Sequence, residues 1–238
     1  MSRLRALSLA AALIGWSFVG ARLRARWRVP LQAGLAGALV LVTRAPLGLC
    51  PPRLWAGLRL GSAAAVVATT AVAAAPSLPA VRLSMSAHAR PTSVSGWLVL
   101  HIPVGTVWAE EAAFRAALAT AGSGAFGPAG GRLLQAGAFG LSHVPDARET
   151  GAPLAATVLV TGVAGWLFGW LADRSESLAA PLLAHLAVNE AGAVAALTIQ
   201  RHRPHDPSGA RRSGYTRTSA PSHGDHSTER VDTSGGQT

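Results

Sequence analysis

The sequence has no lysine: all 21 basic residues among its 238 are arginine. Acid is scarce as well, and none occurs before Glu110, so the amino-terminal half is purely cationic. Only 13% of the residues are charged, against the ~25% of a soluble globular domain, while 50% are hydrophobic. That shortage of charge excludes an ordinary soluble domain and points to a membrane chain. The single cysteine, Cys50, excludes an intramolecular disulfide and says nothing of redox compartment. No basic stripe with interleaved aromatics runs along the sequence, so the net charge of +10 lacks the footprint of nucleic-acid recognition. It reads as charge facing anionic lipid.

What is present is a succession of apolar runs. Residues 6–21 follow Arg3 and Arg5 in the outline of a signal peptide, but no small-x-small cleavage site precedes Arg22, which predicts a retained membrane helix. A second, short run covers 29–43, and 44–60 mixes Pro51-Pro52 and arginines with Leu and Trp55, as an interfacial turn and short amphipathic helix would. Further runs cover 61–81, 93–109 with a bend expected at Pro103, 131–144 after a Gly-rich loop, 152–172 and 178–199. From Arg201 onward large apolar residues nearly vanish, so no core can form. The expectation is an all-α polytopic membrane helix bundle of about seven spans (six to eight), with a disordered polar tail over 201–238. It divides into amino-terminal helices and interfacial segment (1–60), a membrane bundle (61–200) and the tail. The arginine balance of the short loops places the carboxyl terminus in the cytoplasm and the amino terminus outside.

Against this background Glu110, Glu111 and Arg115 stand out, because they follow an apolar run that holds no ionisable group except His101. A charge at membrane depth costs roughly 2.5 to 3.5 kcal/mol, so it is seldom kept without use. On a helix Glu111 and Arg115 share a face at i and i+4, while Glu110 points about 100° away. One carboxylate can then be neutralised structurally while the other does chemistry. Two later runs carry polar residues one turn apart, Phe139 with His143 and His185 with Asn189. Polar side chains inside a bilayer turn toward the bundle interior, so a carboxylate, two imidazoles and an amide are expected to converge on one pocket. These are the parts of a water-activating hydrolase. A Glu serves as base, a His holds the water or protonates the leaving amine, and a second His with an Asn amide donates to an oxyanion.

The stretches EEAAFR, FGLSH and HLAVN resemble, in this order, the signatures of the CAAX prenyl endopeptidase and bacteriocin-processing (CPBP) family, within 93–200. The resemblance implies an intramembrane endopeptidase whose founding eukaryotic members remove the last three residues of prenylated CAAX proteins. Carried over by motif, Glu110 is the base that activates water, His143 its partner, His185 and Asn189 the oxyanion donors, and Glu111 with Arg115 the supporting pair. Ala116 stands where the family often has Gly, and Trp108 precedes the pair; neither change removes a catalytic atom. The implied substrate is a membrane-embedded or lipidated peptide or protein, met in the lipid bilayer without nucleic acid. The implied location is a multi-pass integral protein of a bacterial-type plasma membrane.

Metal-free catalysis is the preferred reading, with no cofactor. Zinc is the alternative, held by Glu110, His143 and His185 with a fourth position for water. No His-Glu-x-x-His helix is present, and Asn189 suits a donor better than a zinc ligand. Other residues carry less. His101 has no motif around it and reads as packing or a pore-facing polar group. Ser123, in Ala-Gly-Ser-Gly, lacks the first Gly of an intramembrane serine protease motif, and His202-x-x-His205 and His223-x-x-His226 lie in the polar tail. Two other function classes stay open: a non-catalytic scaffold or immunity-type membrane protein, and a proton-coupled transporter that uses the same buried Glu and His residues.

Overall fold

The computed structural model describes residues 2–20, 22–87 and 91–201, and every regular element among them is helical. Helices α1 (Arg3–Gly20) and α2 (Ala25–Thr43) are followed by α3 (Arg53–Ala74), which tightens into a 3₁₀ turn at Ala75–Ser77, and by the short α4 (Pro79–Ala87). Helix α5 opens at Val94–Gly96 and winds on as π-helix over Trp97–Trp108 and Glu111–Leu118. It runs directly into α6 (Ala119–Ser142), then α7 (Val144–Thr150), α8 (Leu154–Ser175) and α9 (Ala179–Arg201). Among the described residues four helices are long and apolar enough to cross a membrane: Arg3–Gly20, Arg53–Ser77, Leu154–Ser175 and Ala179–Arg201. The expected tail lies outside the described residues except for Arg201, which ends α9.

Three boundaries differ from the sequence reading, each for a local reason. Residues 53–60 are not a separate interfacial helix but the first turns of α3, because nothing after Pro52 interrupts helical bonding. The run expected over 61–81 stops at Pro76, which sits in the 3₁₀ turn, and Pro79 then opens α4. The Gly-rich stretch before Arg132 is helical on both sides of one break, Gly127, whose φ of 78° and ψ of 169° only glycine adopts readily. Past that break the two halves touch at Gly122 and Gly131, where a Cβ on Gly122 would lie 2.9 Å from the Gly131 Cα. The glycines there serve helix contact as well as the turn.

Two long pairings frame the site. Helix α3 lies along α9 and α6 lies against α8, while α2 packs on α5. The α3–α9 seam is close: a Cβ on Gly61 would come within 2.8 Å of the Ala180 Cα. Small residues let backbones approach where lipid supplies no hydrophobic drive between helices. The largest apolar cluster draws on α1, α2, α5 and α6, with Leu13, Val40, Phe114, Leu118 and Phe139 among its larger members, and it includes Ala109 and Ala112 on either side of the acidic pair.

Candidate active site

The winding of α5 sets which of its residues face one another. Pro103 has no N–H and crowds the carbonyl four residues back, so the regular i→i−4 ladder cannot pass through it, and a wider i→i+5 ladder relieves the clash. In an α-helix the nine residues from His101 to Glu110 turn through about 900°, which puts the two on opposite faces. In the wider winding they span about two whole turns. His101, Gly105, Ala109 and Glu110 accordingly line one cavity.

Glu111 is the hub of the buried polar cluster and is fully inaccessible to solvent. Its Oε1 accepts from His185 Nδ1 at 2.7 Å, and its Oε2 lies 3.4 Å from Arg115 Nε one turn on. Arg115 is equally enclosed, and among the described residues its guanidinium nitrogens find no hydrogen-bond acceptor. Aromatic faces supply the remaining contact: the guanidinium carbon lies 3.8 Å from the Phe139 ring centroid and 5.2 Å from that of Phe168. A guanidinium is weakly hydrated and planar, so such a sandwich suits it better than it would suit an ammonium.

His185 is held from two sides. Phe168 stacks on its ring at 5.0 Å between centroids, and Phe139 meets it edge-on at 6.2 Å. A carboxylate can only accept, so the Nδ1 facing Glu111 carries a proton. Nε2 is then the nitrogen turned toward Glu110, and it stands 3.8 Å from Glu110 Oε2. One imidazole therefore bridges the two adjacent glutamates. Glu110 Oε2 is shut off from solvent, and no hydrogen-bond donor among the described residues reaches it.

His143 ends α6, with Nδ1 2.8 Å from the Phe139 carbonyl oxygen. A carbonyl oxygen only accepts, so Nδ1 is again the protonated nitrogen and Nε2 is left as an acceptor in the neutral ring. His143 and Glu110 line the same cavity of about 240 Å³, between α1, α2, α5 and the α6–α7 junction. His185 and Asn189 are not part of that lining. His185 reaches Glu110 from the α9 side, and Asn189, half-buried, gives one amide N–H to the His185 carbonyl at 3.1 Å. That bond spans one turn and leaves the second amide N–H of Asn189.

Several contributors have no motif. Phe168 stands in Gly-Trp-Leu-Phe-Gly-Trp, where the sequence offers only an interfacial aromatic girdle, yet it stacks on His185. Gln135 is fully buried and donates to the Gly165 carbonyl at 2.9 Å, tying α6 to α8 behind the site. His101 and Arg28 line the cavity with Glu110. Asp146, on α7 outside the apolar helices, also lines it; crowding by protein raises its pKa above the ordinary carboxylate value, and the nearby His143 opposes the rise, as does Arg28. Its side chain nonetheless keeps an exposed surface, which is the better guide to how little energy that shift represents. Among the described residues no three His, Cys, Asp or Glu side chains are grouped to hold a metal ion.

Residues 92–191 match the family described as Rce1-like, type II CAAX prenyl endopeptidase. No curated protein and no solved structure matches the chain. The matched segment contains Glu110, Glu111, Arg115, His143, His185 and Asn189, so the part of the chain that carries the buried cluster is the part similar to the Rce1-like family, within the CPBP group.

Proposed function

We propose that the protein is an intramembrane endopeptidase that hydrolyses a peptide bond near the end of a lipidated or membrane-embedded substrate, with water activated by Glu110. The family assignment implies a membrane peptidase and favours neither a scaffold nor a transporter. The observation that carries the finer reading is the bridged pair, with His185 Nδ1 2.7 Å from Glu111 and Nε2 3.8 Å from Glu110. Glu111 at Nδ1 and the Phe168 and Phe139 rings hold the imidazole in place, and Glu110 is left with a buried oxygen in want of a donor, which a nucleophilic water can supply.

In this mechanism Glu110 takes a proton from the water, and the hydroxide attacks the scissile carbonyl carbon. The oxyanion is received by His185 Nε2 in its protonated form and by the second N–H of Asn189. The proton that Glu110 has taken is relayed through His143 Nε2 to the leaving amine as the carbon–nitrogen bond breaks, which returns both groups to their starting state. No metal takes part in any of these steps. We read α2, α5 and α6 as further membrane crossings beside the four strongly apolar helices, giving seven. Purified protein in detergent, offered a farnesylated peptide ending in CAAX, should release the terminal tripeptide, identified by mass. Absence of that product, with the substrate recovered intact from wild-type protein, would contradict the proposal.

A further inference from the structure

The cavity that holds Glu110 and His143 has a second wall, built by α1 and α2 outside the family segment. Three nitrogen donors line it: the Trp16 indole, the Arg28 guanidinium and the Gln32 amide. Two of them converge on one point, since the Cβ that Gly20 lacks would lie 3.6 Å from Gln32 Nε2 and 3.7 Å from Trp16 Nε1. Arg28 is half-buried and close enough to act electrostatically on His101 across the cavity and on Asp146 at its edge. Donors and a fixed positive charge therefore share one cavity with the proposed base and its histidine.

This arrangement suits an anion attached to a short polar chain. At about 240 Å³ the cavity is smaller than the ~300–1,000 Å³ pockets that enclose drug-sized ligands, so it fits the end of a peptide rather than a lipid tail. A guanidinium and two neutral N–H donors lining one cavity suit a carboxylate, which accepts several hydrogen bonds at once. Resting on the proteolytic reading above, we propose that Trp16, Arg28 and Gln32 form the subsite for the substrate's terminal carboxylate, with Arg28 as its anchor. The anchor fixes how far the scissile bond lies from the chain end, because Glu110 lines the same cavity. Asp146 is the resident counter-charge that the substrate carboxylate must share or displace.

The test uses the full chain in detergent and binding rather than turnover. The tripeptide Ala-Leu-Leu is titrated as the free acid and as its terminal amide, with the shift in thermal unfolding midpoint as readout. Wild-type protein should bind the acid about ten- to a hundredfold more tightly than the amide, the loss expected for one charge-assisted hydrogen bond. Arg28→Gln should erase that preference, Arg28→Lys should keep part of it, and Asp146→Asn should tighten acid binding a few-fold. The wild-type acid and amide comparison stands even where a variant fails to fold. Equal binding of the two forms, or no binding of either, overturns the subsite, as does an Arg28→Gln protein that still prefers the acid. Acid preference retained by a protein that cleaves nothing overturns only the proteolytic reading.

Discussion

Glu111 Oε1 and His185 Nδ1 lie 2.7 Å apart with both side chains shielded from solvent, so a residue of α5 and one of α9 are joined through the centre of the bundle. The other oxygen of Glu111 is 3.4 Å from Arg115, which makes this carboxylate the sole counter-charge in contact with that guanidinium among the described ion pairs. Glu111→Gln keeps the shape and removes the charge. Breaking one member of a buried pair costs about 3–5 kcal/mol, more than removing both. Denaturation in detergent should show that loss for Glu111→Gln and a smaller one for Glu111→Gln combined with Arg115→Met. A single variant as stable as wild type would show that Arg115 is neutralised elsewhere.

Phe168 touches two members of the cluster, stacking on His185 and facing Arg115. Phe168→Leu retains most apolar volume and loses the flat face. Ring pairs of this kind contribute ~0.5–1.5 kcal/mol, so kcat should fall about tenfold if ring orientation limits the reaction. Unchanged kcat would reduce Phe168 to packing.

The α3–α9 seam positions His185 from behind. A Cβ at Gly61 would lie 2.8 Å from the Ala180 Cα and 2.9 Å from its oxygen, both backbone atoms that cannot swing aside. Gly61→Ala should destabilise by about 1–3 kcal/mol and reduce activity by displacing α9. Gly137 has nothing within 4 Å of its missing Cβ, so Gly137→Ala is the control and should be neutral or stabilising by up to ~1 kcal/mol. Equal thermal midpoints for the two variants would contradict the seam.

Asn189 gives one N–H to the His185 carbonyl and has one left for an oxyanion. Loss of one such donor costs on the order of 10²- to 10³-fold in kcat. Asn189→Ala should show that loss with little change in KM; a rise in KM alone would make it a binding residue.

Much of this site is legible in spacing. Glu111 and Arg115 at i and i+4 and the one-turn interval Phe139–His143 each place two side chains on one face, and Arg115, His143 and His185 do meet around Phe139. Asn189 instead bonds back to the His185 carbonyl and does not line the cavity with Glu110 and His143. What spacing cannot convey is the winding of α5. Counted at 3.6 residues per turn, His101 falls opposite Glu110; only the π-helical turns around Pro103 bring both into one cavity. The contributions of Phe168 and Arg28 are hidden for another reason. Each comes from a helix without a motif, and its role exists only through contacts made in three dimensions. The break at Gly127 is visible as Gly-Pro, whereas the helices on either side are masked by glycines that the sequence presents as loop.

The central claim, that Glu110 activates water without a metal, is tested most directly by turnover of a farnesylated CAAX peptide in a strong chelator, wild type beside Glu110→Gln. The amide keeps the shape of the carboxylate but cannot take the proton, so Glu110→Gln should fold normally and lose turnover, while wild type keeps its rate in the chelator. Loss of wild-type activity to the chelator and its return with added Zn²⁺, or full activity in Glu110→Gln, would contradict the account.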